Sequence, residues 1–164
     1  MQGMVVALLA GLILAGQAAP RRVLLDVSSK LSAERVAPGE RFALTLDLTP
    51  AANMHVYAPG VSGYKPIAFT IKPQPGVVVR DIAYPPSETY YYAPLKETVA
   101  VYQKPFRVVQ ALALDGSPAG RAALKGVSSV TLQGTLSYQA CDDRICFPPR
   151  TVPMTWTVGV KELK

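Results

Sequence analysis

Two stretches near the C-terminal end of this chain alternate apolar and polar side chains with a strict period of two. That period predicts half-buried β-strands, because successive side chains of a strand point to opposite faces. Only ten residues separate the two stretches, so they predict a hairpin with those ten residues at its end. Pro153 predicts that the second strand lies at a sheet edge or carries a bulge. The apolar members are Val130, Leu132, Leu136, Tyr138 and Ala140, then Val152, Met154, Trp156 and Val158.

The rest of the chain favours more strands of the same kind. It holds 15 Pro and 12 Gly and has no long helical periodicity. Residues 37–40, "APGE", predict a type II turn, with Pro at the second place and Gly at the third. We therefore predict one all-β domain, an immunoglobulin-like β-sandwich, over residues 19–164. The further strands are predicted in 23–31, 41–50, 54–59, 67–73, 76–85 and 99–114, the last split at Pro105, and loops in 86–98 and 115–126.

The N-terminal stretch has the character of an export signal. Residues 4–16, "MVVALLAGLILAG", form an apolar run that is shorter than the about 20 residues of a membrane span. Small residues follow, so we predict a signal peptide over residues 1–18. The run has no Lys or Arg before it, which leaves an uncleaved N-terminal anchor as the alternative. In both cases we expect the domain to be periplasmic or otherwise exported, and we expect it to be soluble if the signal is cleaved. Disulfides persist in such compartments.

The charge of the chain excludes little. The formal net charge is +6, but no cluster of Lys and Arg is interleaved with aromatic residues. Nucleic-acid binding is therefore not predicted. A solvated basic surface is the simpler interpretation of the excess charge.

The chain has two cysteines, Cys141 and Cys146, in "YQACDDRICFPPR" at the end of the predicted hairpin. As a structural staple the pair would be weak, since a loop of six residues gives about 2 kcal/mol and a loop of 100 more than twice that. A zinc site needs three or four ligands, and the chain offers only His55 in addition. Copper(I) would accept two thiolates and a thioether, so a copper-handling protein stays open.

Redox exchange fits the two cysteines best. A turn at the end of a hairpin presents its sulfurs to a partner, and Pro148 and Pro149 keep the exit out of a sheet. Arg144 would lower the thiol pKa, whereas Asp142 and Asp143 would raise it. These mixed charges predict a pair that receives and passes on electrons with a thiolate supplied by the partner.

The segment "SYQACDDRICFPPRTVPMTWTV" resembles the active-site hairpin of the N-terminal periplasmic domain of the thiol:disulfide interchange protein DsbD. That family has Tyr-Gln-x-Cys, a short loop, Cys-hydrophobic-Pro-Pro and a closing strand. Upstream, "MHVYAPG" is similar to the family's aromatic strand, and "YYYAPLKETVAVYQKPFRV" is similar to its cap-loop region. The resemblance covers most of residues 22–160.

The resemblance implies an immunoglobulin-like sandwich and a reversible Cys141–Cys146 disulfide, with Cys146 forming the mixed disulfide with partners. It implies a thiol–disulfide oxidoreductase without metal or other cofactor, which is linked to cytochrome c biogenesis. Its electrons would come from a thioredoxin-like or membrane donor protein and pass to periplasmic disulfide proteins. Tyr90, Tyr91 or Tyr92 would cap the disulfide. We expect these residues to surround it: His55, Tyr57, Tyr138, Gln139, Asp142 and Pro148.

Two further expectations complete the sequence-based interpretation. Proteins of that family continue into a membrane electron conduit and a thioredoxin-like domain, whereas this chain ends at Lys164, so we expect a separate reductant or another role. We also expect a monomer. The competing hypothesis is a non-catalytic, immunoglobulin-like binding module whose disulfide only pins the loop.

Overall fold

A computed structural model describes residues 22–93 and 95–162, and the regular secondary structure of these residues is almost entirely β-strand. The predicted signal peptide lies outside these residues. Within them, no helix is long and apolar enough to cross a membrane. In chain order the strands are β1 (Leu25–Leu31), β2 (Arg35–Val36), β3 (Arg41–Pro50), β4 (His55–Tyr57), β5 (Ala68–Ile71), β6 (Val77–Ala83), β7 (Glu88–Tyr92), β8 (Glu97–Tyr102), β9 (Phe106–Leu114), β10 (Ser129–Tyr138), β11 (Ala140–Cys141) and β12 (Arg150–Val160).

Two four-stranded sheets enclose the main core. The first has the order β1-β3-β9-β6 and the second the order β2-β12-β10-β5. All their strand pairs are antiparallel except β2 with β12. Buried side chains from both sheets join in one cluster, which makes the pair of sheets a sandwich. Leucines dominate this cluster, among them Leu44, Leu46, Leu48, Leu112, Leu132 and Leu136, each no more than 1% exposed.

The C-terminal hairpin forms as predicted. β10 pairs with β12 along its whole length, with Leu132 opposite Trp156. β2 covers β12 only at Gly159 and Val160, so Pro153 lies on the uncovered part of the strand. The prediction of an edge position for Pro153 is therefore confirmed, and its missing N–H interrupts no ladder.

Two segments predicted as loops have regular structure instead. Residues 88–92 form β7, which pairs with β8 in an antiparallel hairpin. The prediction was wrong because the polar flanks masked a strand of Thr and Tyr, residue types that favour sheets. In the other loop, α1 (Pro118–Ala123) begins after Ser117, whose side chain accepts a hydrogen bond from the Gly120 amide. Ser followed by Pro is the signal for a helix start.

A third sheet of order β11-β4-β8-β7 lies beyond the C-terminal hairpin. β10 ends at Tyr138, and after Gln139 the chain starts β11, where Cys141 pairs with His55 of β4. The chain thus changes sheets just before the first cysteine. This change pairs the cysteine segment with β4, which in turn pairs with β8 of the tyrosine-rich hairpin β7–β8.

Candidate active site

Cys141 and Cys146 form a disulfide with an S–S distance of 2.06 Å. The two residues differ sharply in exposure. Cys141, in β11, is 1% exposed, whereas Cys146 lies in the loop before β12 and is exposed. A partner that approaches from solvent therefore meets Cys146 first.

The loop between the cysteines is closed by Asp142. Its Oδ1 accepts hydrogen bonds from the backbone N–H groups of Arg144, at 2.9 Å, and Ile145, at 2.8 Å. The Asp142 amide in turn donates to the Ile145 carbonyl at 3.0 Å. The hydrogen bonds from the Ile145 and Arg144 amides lower the pKa of Asp142, and nearby arginines make a smaller contribution. Asp142 is thus a charged cap of the loop and holds the turn that presents Cys146.

Gln139 ties the two ends of the cysteine segment together. Its Nε2 donates to the Phe147 carbonyl at 3.1 Å, and its Oε1 accepts from the Lys65 amide at 3.3 Å. The Phe147 amide also donates to the Ala140 carbonyl at 2.9 Å. These bonds hold the residues on either side of the disulfide in register independently of the S–S bond.

The Tyr57 hydroxyl contacts both sulfurs. Its oxygen lies 3.3 Å from Cys141 Sγ and 3.5 Å from Cys146 Sγ. Sulfurs bonded to one another carry no hydrogen, so the hydroxyl is the donor in either contact. Burial is the main cause of a raised pKa for Tyr57, and Tyr64 adds to it. The hydroxyl therefore keeps its proton at neutral pH and remains a donor toward the sulfurs.

Aromatic rings cover the buried side of the disulfide. Tyr64 stacks on Tyr57 with ring centroids 4.2 Å apart, and its hydroxyl donates to Glu97 Oε2 at 2.8 Å. His55 meets Tyr57 edge-on at 5.5 Å. Cys141, Tyr57 and the fully buried Val101 form a small apolar cluster separate from the main core. The low polarity of this cluster raises the strength of any hydrogen bond to the sulfurs.

The predicted cap residues alternate along β7. Tyr90 is half-buried, packs on the apolar cluster at Cys141 and lies with its ring centroid 4.5 Å from that of His55. The Tyr92 hydroxyl donates to the Arg144 carbonyl at 3.5 Å, which joins β7 to the disulfide loop. Tyr91 is 59% exposed. Tyr90 and Tyr92 thus lie on the disulfide side of the hairpin, and Tyr91 does not.

His55 is 3% exposed and lies beneath Tyr90. Burial lowers the pKa of His55, and the Asp142 carboxylate opposes part of that shift. Its imidazole is therefore neutral at pH 7. Among the described residues, no group of three or more His, Cys, Asp or Glu side chains is placed to hold a metal ion.

The structure brings most of the predicted site residues together, but not all of them. Tyr138 is buried in the main core, outside the apolar cluster at Cys141, and Pro148 is exposed and lines a neighbouring groove. Sequence analysis missed Tyr64 and Glu97. Tyr64 lies in a loop whose path is set by nonlocal contacts, so no local pattern marks it.

The family model described as "Thiol:disulfide interchange protein DsbD, N-terminal" matches residues 24–155, more than half of the chain. The N-terminal periplasmic domain of ScsB from Proteus mirabilis is similar in structure, with a TM-score of 0.50 and 15% identity. The match covers 87% of this chain and 48% of that one, so this chain spans about half of the ScsB chain.

A second solved structure is that of the reduced DsbD N-terminal domain from Neisseria meningitidis. It has a TM-score of 0.47 and 14% identity, and the match covers 71% of this chain and 81% of that one. A search of the curated proteins found no match. The family match and the likeness to the ScsB domain confirm the predicted immunoglobulin-like fold class.

Proposed function

Since this chain belongs to the family of the N-terminal domain of the thiol:disulfide interchange protein DsbD, a thiol–disulfide exchange module, we propose that it relays electrons through Cys141 and Cys146. The relay would take electrons from a thioredoxin-like or membrane donor protein and pass them to exported proteins that carry disulfides. The bond between the two cysteines is the group that changes oxidation state.

The unequal exposure of the two cysteines is the observation that carries this proposal. An attacking thiolate must reach a disulfide sulfur from the side opposite to the leaving sulfur, so access decides which sulfur reacts. Cys146 is exposed and Cys141 is 1% exposed. Cys146 is therefore the sulfur that forms the mixed disulfide, and Cys141 is the resolving partner.

The donor half-reaction begins with a donor thiolate that attacks Cys146 Sγ. The S–S bond breaks, and Cys141 leaves as a thiolate that takes up a proton. The second cysteine of the donor then attacks, as a thiolate, the donor sulfur of the mixed disulfide, and Cys146 leaves as a thiolate that takes up a proton. The donor is oxidised to a disulfide, and the pair is reduced to two thiols.

The acceptor half-reaction runs in the opposite sense. The Cys146 thiolate attacks the acceptor's disulfide, and one acceptor sulfur leaves with the bonding electrons. The Cys141 thiolate then attacks Cys146 Sγ and releases the second acceptor sulfur. The acceptor gains two thiols, and the Cys141–Cys146 bond forms again.

Tyr57 assists the first of these steps. When Cys146 is attacked, negative charge develops on Cys141 Sγ, which lies 3.3 Å from the Tyr57 hydroxyl. A hydrogen bond to a charged acceptor is about twice as strong as one to a neutral acceptor. The hydroxyl thus stabilises the leaving thiolate more than it stabilises the disulfide.

Trapping of the mixed disulfide tests the proposal. The Cys141→Ser variant should form a stable mixed disulfide between Cys146 and a thioredoxin whose resolving cysteine is replaced by serine and whose remaining cysteine is activated as a mixed disulfide with thionitrobenzoate, which leaves as a thiolate when Cys146 attacks. The Cys146→Ser variant should form none, although it retains a thiol. Mass spectrometry of the trapped complex identifies the linked cysteine, and equal trapping by both variants would refute the assignment of roles.

Reduction of the wild-type disulfide separates the relay from the alternative of a purely structural bridge. Reduced thioredoxin should open the bond in the folded protein, and the reduction potential should lie above about −300 mV. A bond that thioredoxin leaves intact, with a potential below that value, would identify a binding module with a pinned loop.

A further inference from the structure

A groove lies between β1 and the uncovered first part of β12, on the open side of the sandwich. Its volume is about 730 Å³. One end is bridged by Arg150, whose Nη1 donates to the Arg22 carbonyl at 2.8 Å, and farther along Trp156 Nε1 donates to Ser29 Oγ at 2.9 Å. We call it the edge groove. Its apolar lining comes from Val23, Leu25, Val27, Phe147, Pro148 and Val152.

The edge groove begins one residue from the reactive cysteine. Phe147, which follows Cys146, lines it, and the Arg22 guanidinium lies over the Phe147 ring at 5.2 Å from the centroid. Val23 beside it is 61% exposed. A polypeptide whose cysteine is joined to Cys146 is therefore attached one residue away from this groove, which Arg22, Asp26 and Arg150 line together with the apolar side chains.

The backbone of β1 is open toward this groove. β1 is the outermost strand of its sheet. At one end of its ladder with β3, the Ala51 amide donates to the Leu24 carbonyl at 3.0 Å. At the other end, the Ser32 amide donates to the Ala43 carbonyl at 2.8 Å. Ladder bonds alternate along an antiparallel strand, so the even-numbered residues of β1 bond to β3. The odd-numbered residues, including Leu25 and Val27, direct their N–H and C=O groups outward.

The facing edge of β12 is less suited to pairing. Gly159 N donates to the Glu34 carbonyl at 2.8 Å, so the odd-numbered residues of β12 point their backbone groups away from β10. Pro153 is one of these and has no N–H to offer. An added strand therefore finds a continuous row of donors and acceptors on β1 but an interrupted row on β12.

We propose that the edge groove binds an extended segment of the acceptor polypeptide, next to its cysteine, as an added strand on β1. Unpaired edge groups with alternate apolar pockets recognise extended backbone in this way. The inference rests on the proposed function, because it places the segment through the mixed disulfide at Cys146. It defines a substrate class: proteins whose reducible cysteine lies in an unfolded or extended stretch.

A single-turnover assay with the pre-reduced protein tests the inference. The probe is a short alternating Thr/Val peptide with one cysteine joined to glutathione, and glutathione disulfide is the reference oxidant. Cys146 attacks the peptide sulfur, glutathione leaves as a thiol, and Cys141 then releases the peptide thiol as the protein disulfide forms. The peptide should react several-fold faster than glutathione disulfide with the wild-type protein.

Backbone N-methylation of the probe gives the decisive comparison. Two versions carry methyl groups on alternate amides, one on the odd and one on the even positions. Only one set of amides in an added strand faces β1, so one version should slow by about fivefold or more and the other should react like the parent. Equal rates for all three peptides would overturn the inference.

A matched pair of protein variants tests the same edge. Val27→Pro removes an outward N–H and should slow the peptide about fivefold, whereas Val27→Ala keeps the N–H and should slow it less. Both should reduce glutathione disulfide at the wild-type rate. The inference would be overturned if Val27→Pro slowed the reactions with both oxidants equally. It would also be overturned if the wild-type protein were a dimer that Val27→Pro dissociates. Absence of thiol release from either oxidant would instead refute the proposed function itself.

Discussion

At the scale of single residues, the disulfide is controlled by groups that do not themselves change oxidation state. Tyr57 donates toward the sulfurs, Asp142 holds the loop, and Gln139 joins the two ends of the cysteine segment. Each is fixed by its own hydrogen bonds or by stacking. These groups together hold the loop that presents Cys146 in the disulfide form.

Replacement of Tyr57 by Phe tests the hydroxyl. The ring and its stacking on Tyr64 remain, but the donor to Cys141 Sγ is lost. Reduction by thioredoxin should slow about tenfold, the effect of one hydrogen bond to a charged group. Stopped-flow fluorescence measures the rate. Tyr64→Phe is the control, because its hydroxyl bonds to Glu97 and contacts neither sulfur, and it should leave the rate within about twofold.

The one histidine of the chain makes stability depend on pH. The pKa of His55 is lowered by burial from an ordinary value of 6.5, so below pH 6.5 the unfolded chain binds a proton that the folded chain does not. The free energy of unfolding should therefore fall as the pH drops from 6.5 toward about 5. Urea unfolding at several pH values measures this slope.

The control for this pH dependence is His55→Phe, which keeps an aromatic ring under Tyr90. Its stability should be flat over the same range. The carboxyl groups whose pKa is lowered in the folded protein change its stability only at lower pH, since their ordinary pKa values are 4.5 or 3.8. A variant that kept the wild-type slope would assign the pH dependence to another group.

At the scale of elements, we propose that the hairpin β7–β8 caps the Cys141 side of the disulfide, since Tyr90 packs on the apolar cluster at Cys141. Tyr90 should shield it through the contact with His55, and Tyr92 through its bond to the Arg144 carbonyl. Dithiothreitol should reduce the disulfide of the Tyr90→Ala variant roughly fivefold faster than that of the wild-type protein, because access to the sulfurs limits the rate of reduction. Tyr91→Ala, on the exposed side of the same strand, should have no effect. Equal acceleration by both variants would indicate a general loosening of the hairpin.

The elements also show how far local patterns predict this fold. Alternation in residues 41–50 and 129–138 predicted β3 and β10 because one face of each strand is buried along its whole length. Sequence analysis missed β7 because its side chains are only partly buried and because its strand conformation depends on pairing with β8. The change of sheets at Gln139 depends on pairing with β4, more than 80 residues earlier, and no local pattern encodes it.

At the scale of the whole molecule, stability and chemistry are separated. The main core joins both sheets of the sandwich, and Cys141 belongs to a different cluster. The disulfide closes a loop with a sequence separation of only five residues. Its contribution to the free energy of unfolding is therefore small, about 2 kcal/mol in the chain-entropy model.

The Cys141→Ala/Cys146→Ala double variant tests this separation. It should fold to the same sandwich and lose no more than about 2 kcal/mol of unfolding free energy in urea. Wild-type protein unfolded in the presence of dithiothreitol is the matched control and should lose a similar amount. A loss of more than twice that amount would mean that the bond staples the fold.

The buried position of Cys141 has a kinetic consequence. In the proposed relay, donor and acceptor both use Cys146, so they compete for one sulfur and cannot be bound there together. Turnover must then follow a ping-pong scheme, with parallel lines in double-reciprocal plots of rate against acceptor concentration at several donor concentrations. A large excess of the oxidised donor should inhibit by occupying the reduced Cys146, and the direction of electron flow is then set by the relative concentrations and potentials of the two partners.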